Sequence, residues 1–150
     1  MKRTALVTGA SSGIGKEFAR ICARESMNLV LVARDQKELN KVAKDLKRDY
    51  SITVAALTYD LSDMDQVDSM VKVIKKKRLT IDVLINNAGF GDFDLFKDAD
   101  IAKQQNMIDL NIKAVTALTH AFYPKMIARG SGKILNVASI AAFQPGPYMA

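Results

Sequence analysis

The sequence is poor in residues that cross-link a chain or hold a metal. It contains one cysteine, Cys22, and one histidine, His120, among 150 residues. A single thiol cannot close an internal disulfide, which points to a reducing compartment. No second histidine and no Cys or carboxylate cluster stands at metal-ligand spacing, so no metal is expected. His120 reads as a packing or interface residue. Long hydrophobic runs are also missing. The apolar stretch in the opening MKRTALVTG is too short for a signal peptide or a membrane helix. No membrane association is expected, and a cytoplasmic location is the default. Repeats, low-complexity segments and linkers are absent. With 49% hydrophobic and 25% charged residues, the chain fits one soluble domain with a sizeable core.

Charge is not scarce. The formal net charge is +6, which raises the question of an anionic partner. The densest basic run, Lys75 to Arg78, ends a segment that opens with Asp63, Asp65 and Asp68. Acid at a helix start and base at its end complement the helix dipole. No aromatic-basic platform accompanies the charge, so no nucleic-acid partner is expected.

Apolar runs of strand length are plentiful. Five occur: Thr4 to Thr8, Asn28 to Ala33, Ile52 to Leu57, Ile81 to Asn86 and Lys133 to Ala138. Most are apolar throughout rather than alternating, as in a parallel sheet covered on both faces. Helical spacing lies between them. Ile14, Phe18, Ile21 and Cys22 share one predicted face. Leu39, Val42, Ala43 and Leu46 share another, and Val67, Met70, Val71 and Ile74 a third. Asp35 with Glu38, and Ser62 with Asp65, resemble capping boxes. Met64, Met70, Met107 and Met126 read as core filler. A fourth helix falls within Ile101 to Ala128 and is apolar on more than one side. Such a helix suits packing on the sheet and on another subunit. The alternation predicts an α/β fold with a doubly wound parallel sheet of order 3-2-1-4-5. Its ligand crevice should lie at the carboxyl edge, between the first and fourth strands.

TGASSGIG, Thr8 to Gly15, follows the first strand and opens the first helix. Gly9 lets the chain leave the strand, and Gly13 and Gly15 permit close approach of backbone and helix to a ligand. Free N–H groups at the helix start, with the Ser11 and Ser12 hydroxyls, form a seat for a pyrophosphate. Any tight strand-to-helix turn can use glycine, so the flanking strand and helix are what strengthen the signal. The spacing is G-x-x-x-G-x-G. At the end of the second strand, LVARD places Ala33 where an acid would bind a ribose 2′-hydroxyl, followed by Arg34. A guanidinium there suits a 2′-phosphate, which favours NADP(H) over NAD(H); an ordinary exposed charge is the alternative. Asp35 is left to cap the next helix. Asn86 and Asn87 can tie neighbouring strand ends together or simply make a turn. Asn111, inside an apolar helix, is costly unless bonded, and a satisfied core amide is one reading of it.

These motifs together resemble the short-chain dehydrogenase/reductase family. TGASSGIG, with Ile14 inside it, is similar to the family's cofactor motif. NNAG at Asn86 to Gly89 is similar to a second motif, which brings Asn87, Ala88 and Gly89 to the cofactor, with Gly89 leaving room for it. Asp60 and Leu61 match the adenine-side contact after the third strand. Asn111 and Ser139 fall where the family keeps a catalytic asparagine and serine. The resemblance covers the whole chain but only the front of a family domain. It implies hydride transfer between the nicotinamide and a small carbonyl or secondary alcohol substrate. Asn111 would relay protons through backbone and water, and Ser139 would orient the substrate oxygen. The family's tyrosine, and the lysine four residues after it, would fall past Ala150, so the domain is expected to be incomplete at its C-terminal end. Tyr148 reads as a loop or pocket residue rather than that acid. The alternative function is an NADP(H)-binding module without catalysis. A hydrolase is rejected, because NVASIAA holds no G-x-S-x-G elbow around Ser139. The FGDFDLF loop, Phe90 to Phe96, offers aromatics for an apolar pocket or for packing alone. A homo-oligomer is expected of the complete protein.

Overall fold

The computed structural model describes residues 2–144 and 146–148. Five parallel strands form one sheet: β1 (Thr4–Thr8), β2 (Asn28–Ala33), β3 (Val54–Thr58), β4 (Val83–Asn86) and β5 (Lys133–Asn136). Their order is β3-β2-β1-β4-β5, as expected. Leu6 of β1 stands opposite Val30 on one side and Leu84 on the other.

The central strands are apolar throughout because each face is covered by helices. Ala5, Val7, Leu29, Leu31 and Ile85 project into one core with residues of α1 (Gly13–Arg24) and α2 (Gln36–Asp49). Leu6, Val30, Val32 and Leu84 project into the other. There they meet α3 (Met64–Lys76) and the long helix that ends as α5 (Val115–Ala128). The sheet is therefore wound first on one face, then on the other, and its direction reverses between β1 and β4.

Two strands begin later than their apolar runs. Ile81 is buried without joining β4, while the next residue accepts a hydrogen bond at its carboxylate from the Thr4 N–H at 2.8 Å. Ile52 likewise packs on the core ahead of β3. β5 ends at Asn136, short of its apolar run, and as the expected order requires it is an edge strand, with Leu135 exposed and Val137 exposed just beyond it.

The helices follow the sequence with three corrections. On α2 and α3 the predicted faces are the buried ones. On α1 only half of the predicted face is: Cys22 is buried and Phe18 packs against the core, whereas Ile14 and Ile21 are exposed. Gly15, Ala19 and Ala23 take their place against the sheet. Small residues let this helix lie close to β1, so the two isoleucines turn outward. Asp35 caps α2 as expected, accepting from the Glu38 N–H at 3.0 Å. The cap of α3 is Asp63, not Ser62; its carboxylate accepts from the Asp65 N–H, while Ser62 donates to Asp60. The fourth helical region runs as α4 (Ile101–Ile108), a π-helical segment (Asp109–Ala114) and α5. Of the methionines, Met70 and Met126 are core residues and Met64 packs against the core. His120 is exposed.

Candidate functional site

The reversal of direction between β1 and β4 opens a gap at their carboxyl ends. Thr8, the last residue of β1, closes its floor. Its buried hydroxyl accepts from the N–H groups of Asn87 and Ala88, both at 2.9 Å, and donates to the Ile85 carbonyl at 3.3 Å. The Asn87 side chain reaches back to donate to the Thr8 carbonyl at 3.0 Å. Asn86 works toward the other neighbour. Its amide donates to Asn136 of β5 at 2.9 Å and to Thr119 of α5 at 3.3 Å. The asparagine pair thus ties three strand ends and a helix together. The Asn86 Oδ1 is buried with no hydrogen-bond partner among the described residues.

Thr8 was not singled out in the sequence, although it opens the glycine motif. Replacing it by valine keeps the shape but orphans two amides, at about 1–3 kcal/mol for each buried group left unpaired. A chemical-denaturation series should show a lower midpoint at unchanged slope. A loss below about 0.5 kcal/mol would mean that the hydroxyl bridge is dispensable, since paired bonds typically contribute more.

Above this floor lies a crevice of about 760 Å³. Gly9, Ser11, Ser12, Gly13 and Ile14 line it from the turn after β1. Arg34 enters from the end of β2, with Asp60 and Leu61 from beyond β3. Asn87, Ala88 and Gly89 complete it from β4. Ala33 lines it too, at the strand end read as the ribose position, and Asp35, Tyr59 and Leu110 line it without a signal in the sequence. Gly15 is buried behind the wall rather than lining it.

The glycines differ in what they permit. A Cβ on Gly15 would stand 2.2 Å from the Gly9 carbonyl oxygen and 2.5 Å from the Asn87 amide. Its absence is what allows α1 to meet β1 and β4. Gly13 has φ of +50°, and a Cβ there would meet nothing within 4 Å. It takes a left-handed backbone at the open mouth of the crevice.

The start of α1 is unlike those of the other α-helices that open from a loop. Asp35, Asp63 and Asp100 each cap their helix through the carboxylate. Ser12, at the same position of α1, makes no side-chain cap hydrogen bond. The first N–H groups of α1 therefore face the crevice without an internal carboxylate, a setting that favours a bound anion.

Charge at the far end of the crevice is organised around Asp60. Its carboxylate accepts from the Ser62 N–H at 3.0 Å and hydroxyl at 2.7 Å, and lies 3.6 Å from the Arg34 guanidinium. Burial pushes the carboxyl upward, but the Ser62 and Arg34 contacts outweigh it and hold it below the usual carboxylate range. The group stays ionised and keeps Arg34 at the crevice mouth.

Asn111 sits in the π-helical segment, and it is exposed rather than buried among apolar side chains. Its amide donates to the Phe90 carbonyl at 2.8 Å and accepts from the Phe90 N–H at 3.2 Å. A π turn re-aims one side chain of a helix and recurs at functional sites. Here it aims an amide at the loop that follows NNAG. Gly89 has a second reason to be glycine: a Cβ would lie 2.9 Å from the Asn111 Oδ1. Ser139 is exposed just past β5, with its hydroxyl accepting from the Ala141 N–H at 3.1 Å. It does not line the crevice itself. Tyr148 has φ of +62° and its ring tilts against Phe93, with centroids 5.6 Å apart.

Sheet order and crevice position together define a Rossmann-type α/β protein. The chain belongs to the family described as short chain dehydrogenase, whose sequence profile matches residues 3–150. An oxidoreductase of Staphylococcus saprophyticus is 35% identical over 142 residues, covering 95% of this chain and 61% of that protein. The NADP-dependent 3-hydroxy acid dehydrogenase of Schizosaccharomyces pombe is 38% identical over 141 residues, covering 93% of this chain and 54% of the relative. Among solved structures, a short-chain dehydrogenase from Sphingobium yanoikuyae in complex with NADPH superposes with a TM-score of 0.91. It is 36% identical, with 98% of this chain and 57% of that one covered. The chain thus spans a little over half the length of these relatives.

Proposed function

We propose that this chain forms the cofactor-binding front of an NADP(H)-dependent oxidoreductase. The reaction would move a hydride between the nicotinamide and the carbon of a carbonyl or secondary alcohol. The observation that carries this reading is the uncapped start of α1 beside Gly13, facing a crevice that ends at Arg34. The residues present fit the cofactor: N–H groups and serine hydroxyls for a pyrophosphate, Arg34 for a 2′-phosphate, and open space at Gly13. The NADP-dependent relative and the NADPH-bound structure support the same cofactor.

NADP(H) supplies the hydride when bound. The chain's own residues do the rest. The α1 N–H groups neutralise pyrophosphate charge, and Gly9 and Gly15 hold that turn in place. Asp60 and Leu61 meet the adenine side, and Asn87, Ala88 and Gly89 bound the ribose side. Asn111 fixes the Phe90 backbone and so the course of the loop above the crevice. The Ser139 hydroxyl would turn from Ala141 to donate to the substrate oxygen, polarising it toward hydride uptake.

The homologous oxidoreductases support a catalytic protein rather than a pure binding module. Exposed Ile108, Ile112, Tyr123 and Ile127 on the long helix support a homo-oligomer. A cytoplasmic protein is supported by the free thiol at Cys22; among the described residues no helix is long and apolar enough to cross a membrane.

Fluorescence titration of NADPH and NADH tests the cofactor directly. NADPH should bind at least tenfold more tightly. Equal affinities would overturn the 2′-phosphate assignment, and absence of binding by either would overturn the function.

A further inference from the structure

The crevice described above lies at the carboxyl edge of the sheet. A second cavity, of about 890 Å³, lies at the amino edge. It forms where the chain enters neighbouring strands, at Arg3 before β1, Asn28 opening β2, Thr53 before β3 and Asp82 before β4. Four cations line it: Lys2 and Arg3 ahead of β1, Lys47 in the last turn of α2, and Arg78 just past α3. The Lys2 ammonium donates to the Ser51 carbonyl. Arg78 has φ of +52°, a left-handed backbone that few side chains adopt. It also lines a smaller cavity of about 300 Å³, together with Lys75, Lys125 and Arg129.

Negative charge at this edge is already engaged. Asp82 is the one carboxylate lining either cavity among the described residues. It accepts from the Thr4 N–H at 2.8 Å and pairs with Arg129 at 3.4 Å. Asp45 and Asp49, on either side of Lys47 in the sequence, pair with Arg48. Among the described residues Lys2, Arg3, Lys47 and Arg78 pair with no carboxylate. Helix dipoles explain part of the pattern, because α2 and α3 end here and cations in a last turn complement them. They do not explain Lys2 and Arg3, which precede β1. Each helix end carries only about half a negative charge, so the cations dominate the cavity.

We propose that this amino-edge cavity binds a small anion carrying several linked phosphates, at a site separate from the crevice that faces α1. Its size falls within the roughly 300–1,000 Å³ of small-molecule sites. A polyphosphate matches the lining in kind, with several charges on a short chain and oxygens that accept from ammonium and guanidinium groups alike. A monocarboxylate would engage one cation and leave the others unneutralised. Half-buried Tyr50 is the one aromatic residue in the lining, too few for the stacking platform of a single-stranded nucleic acid.

The test titrates tripolyphosphate into the NADPH-saturated protein by calorimetry at low salt. A dissociation constant below about 1 mM is expected, rising severalfold with salt because the cations lie in solvent. Arg78→Gly removes the charge yet suits the left-handed backbone; it should keep the melting temperature and weaken binding at least tenfold. Arg3→Ala should weaken it at least threefold, and Arg78→Lys should stay within threefold of the wild type. Lys97→Ala, at the other edge of the sheet, should bind normally. ATP in place of tripolyphosphate identifies the source: tighter binding assigns the site to nucleotides, equal binding to free polyphosphate, and either supports a phosphate site. Absence of tripolyphosphate binding would overturn the proposal, as would equal losses in Arg78→Gly and Lys97→Ala. Binding that NADPH saturation abolishes would place the anion in the other crevice and overturn it too. So would retention of single-stranded RNA without binding of tripolyphosphate. If NADPH itself fails to bind, the function proposed above falls, while Arg78→Gly still decides this site.

Discussion

Gly15→Ala should lower stability by about 3 kcal/mol or more and abolish nucleotide binding. Two effects oppose each other at this position. Alanine is the better helix former, by roughly 1 kcal/mol. Against that, its methyl would stand 2.2 Å from the Gly9 carbonyl oxygen, which is backbone. A flexible side chain could swing aside; the turn after β1 cannot, because the Ala10 N–H is bonded to the Val32 carbonyl at 3.1 Å. Overpacking a tight contact costs about 1–3 kcal/mol and more when the neighbour is rigid, so the clash wins. For a chain of this length each kcal/mol moves the midpoint by about 2–4 °C, and a fall near 10 °C is expected. The shift of α1 away from β1 would also disperse the N–H groups that face the crevice. Gly13→Ala gives the contrasting result. It meets no neighbour but must hold φ at +50°, at a cost of about 1–2 kcal/mol. Its fold should survive. A Gly15→Ala protein that melts within 2 °C of the wild type would refute the packing role.

The contrast between these glycines shows what the sequence could and could not reveal. The parallel sheet was readable because five apolar runs alternated with helical spacing, and its order followed from the dinucleotide-binding form of the doubly wound arrangement, 3-2-1-4-5. The crevice was readable because glycines, a strand end and a helix start coincide within eight residues, Thr8 to Gly15. What escaped was geometry set by the third dimension. Half of the α1 face escaped because hydrophobicity ranks Ile14 and Ile21 above Gly15 and Ala19, while close approach to the sheet demands the reverse. Thr8 gave no signal, since a threonine closing an apolar strand is ordinary; its worth lies in two amides arriving from residues 87 and 88. The π turn at Asn111 has no pattern in MIDLNIKA that separates it from α-helix. The cap of α3 slipped by one residue because Ser62, Asp63 and their neighbours can all cap, and Asp60 had already engaged Ser62.

Arg34→Ala should weaken NADPH binding about 10- to 100-fold and leave NADH within about threefold. A hydrogen bond to a charged group contributes about 1.5–3 kcal/mol, and that range corresponds to such a change in dissociation constant. The guanidinium is exposed and tied to Asp60 at 3.6 Å. A surface pair of this kind is worth about 0–1 kcal/mol, so a dianionic phosphate can draw Arg34 toward itself without a large penalty. Asp60 keeps its own partner in Ser62 throughout. Arg34→Lys should recover only part of the loss, because an ammonium cannot bond a phosphate through two parallel N–H groups. Salt supplies an independent check. The preference of the wild-type protein for NADPH should shrink as ionic strength rises, since the contact lies in solvent, and the Arg34→Ala protein should show little such dependence. Equal losses for the two nucleotides would place Arg34 outside the recognition of the 2′-phosphate and return it to the role of a surface charge.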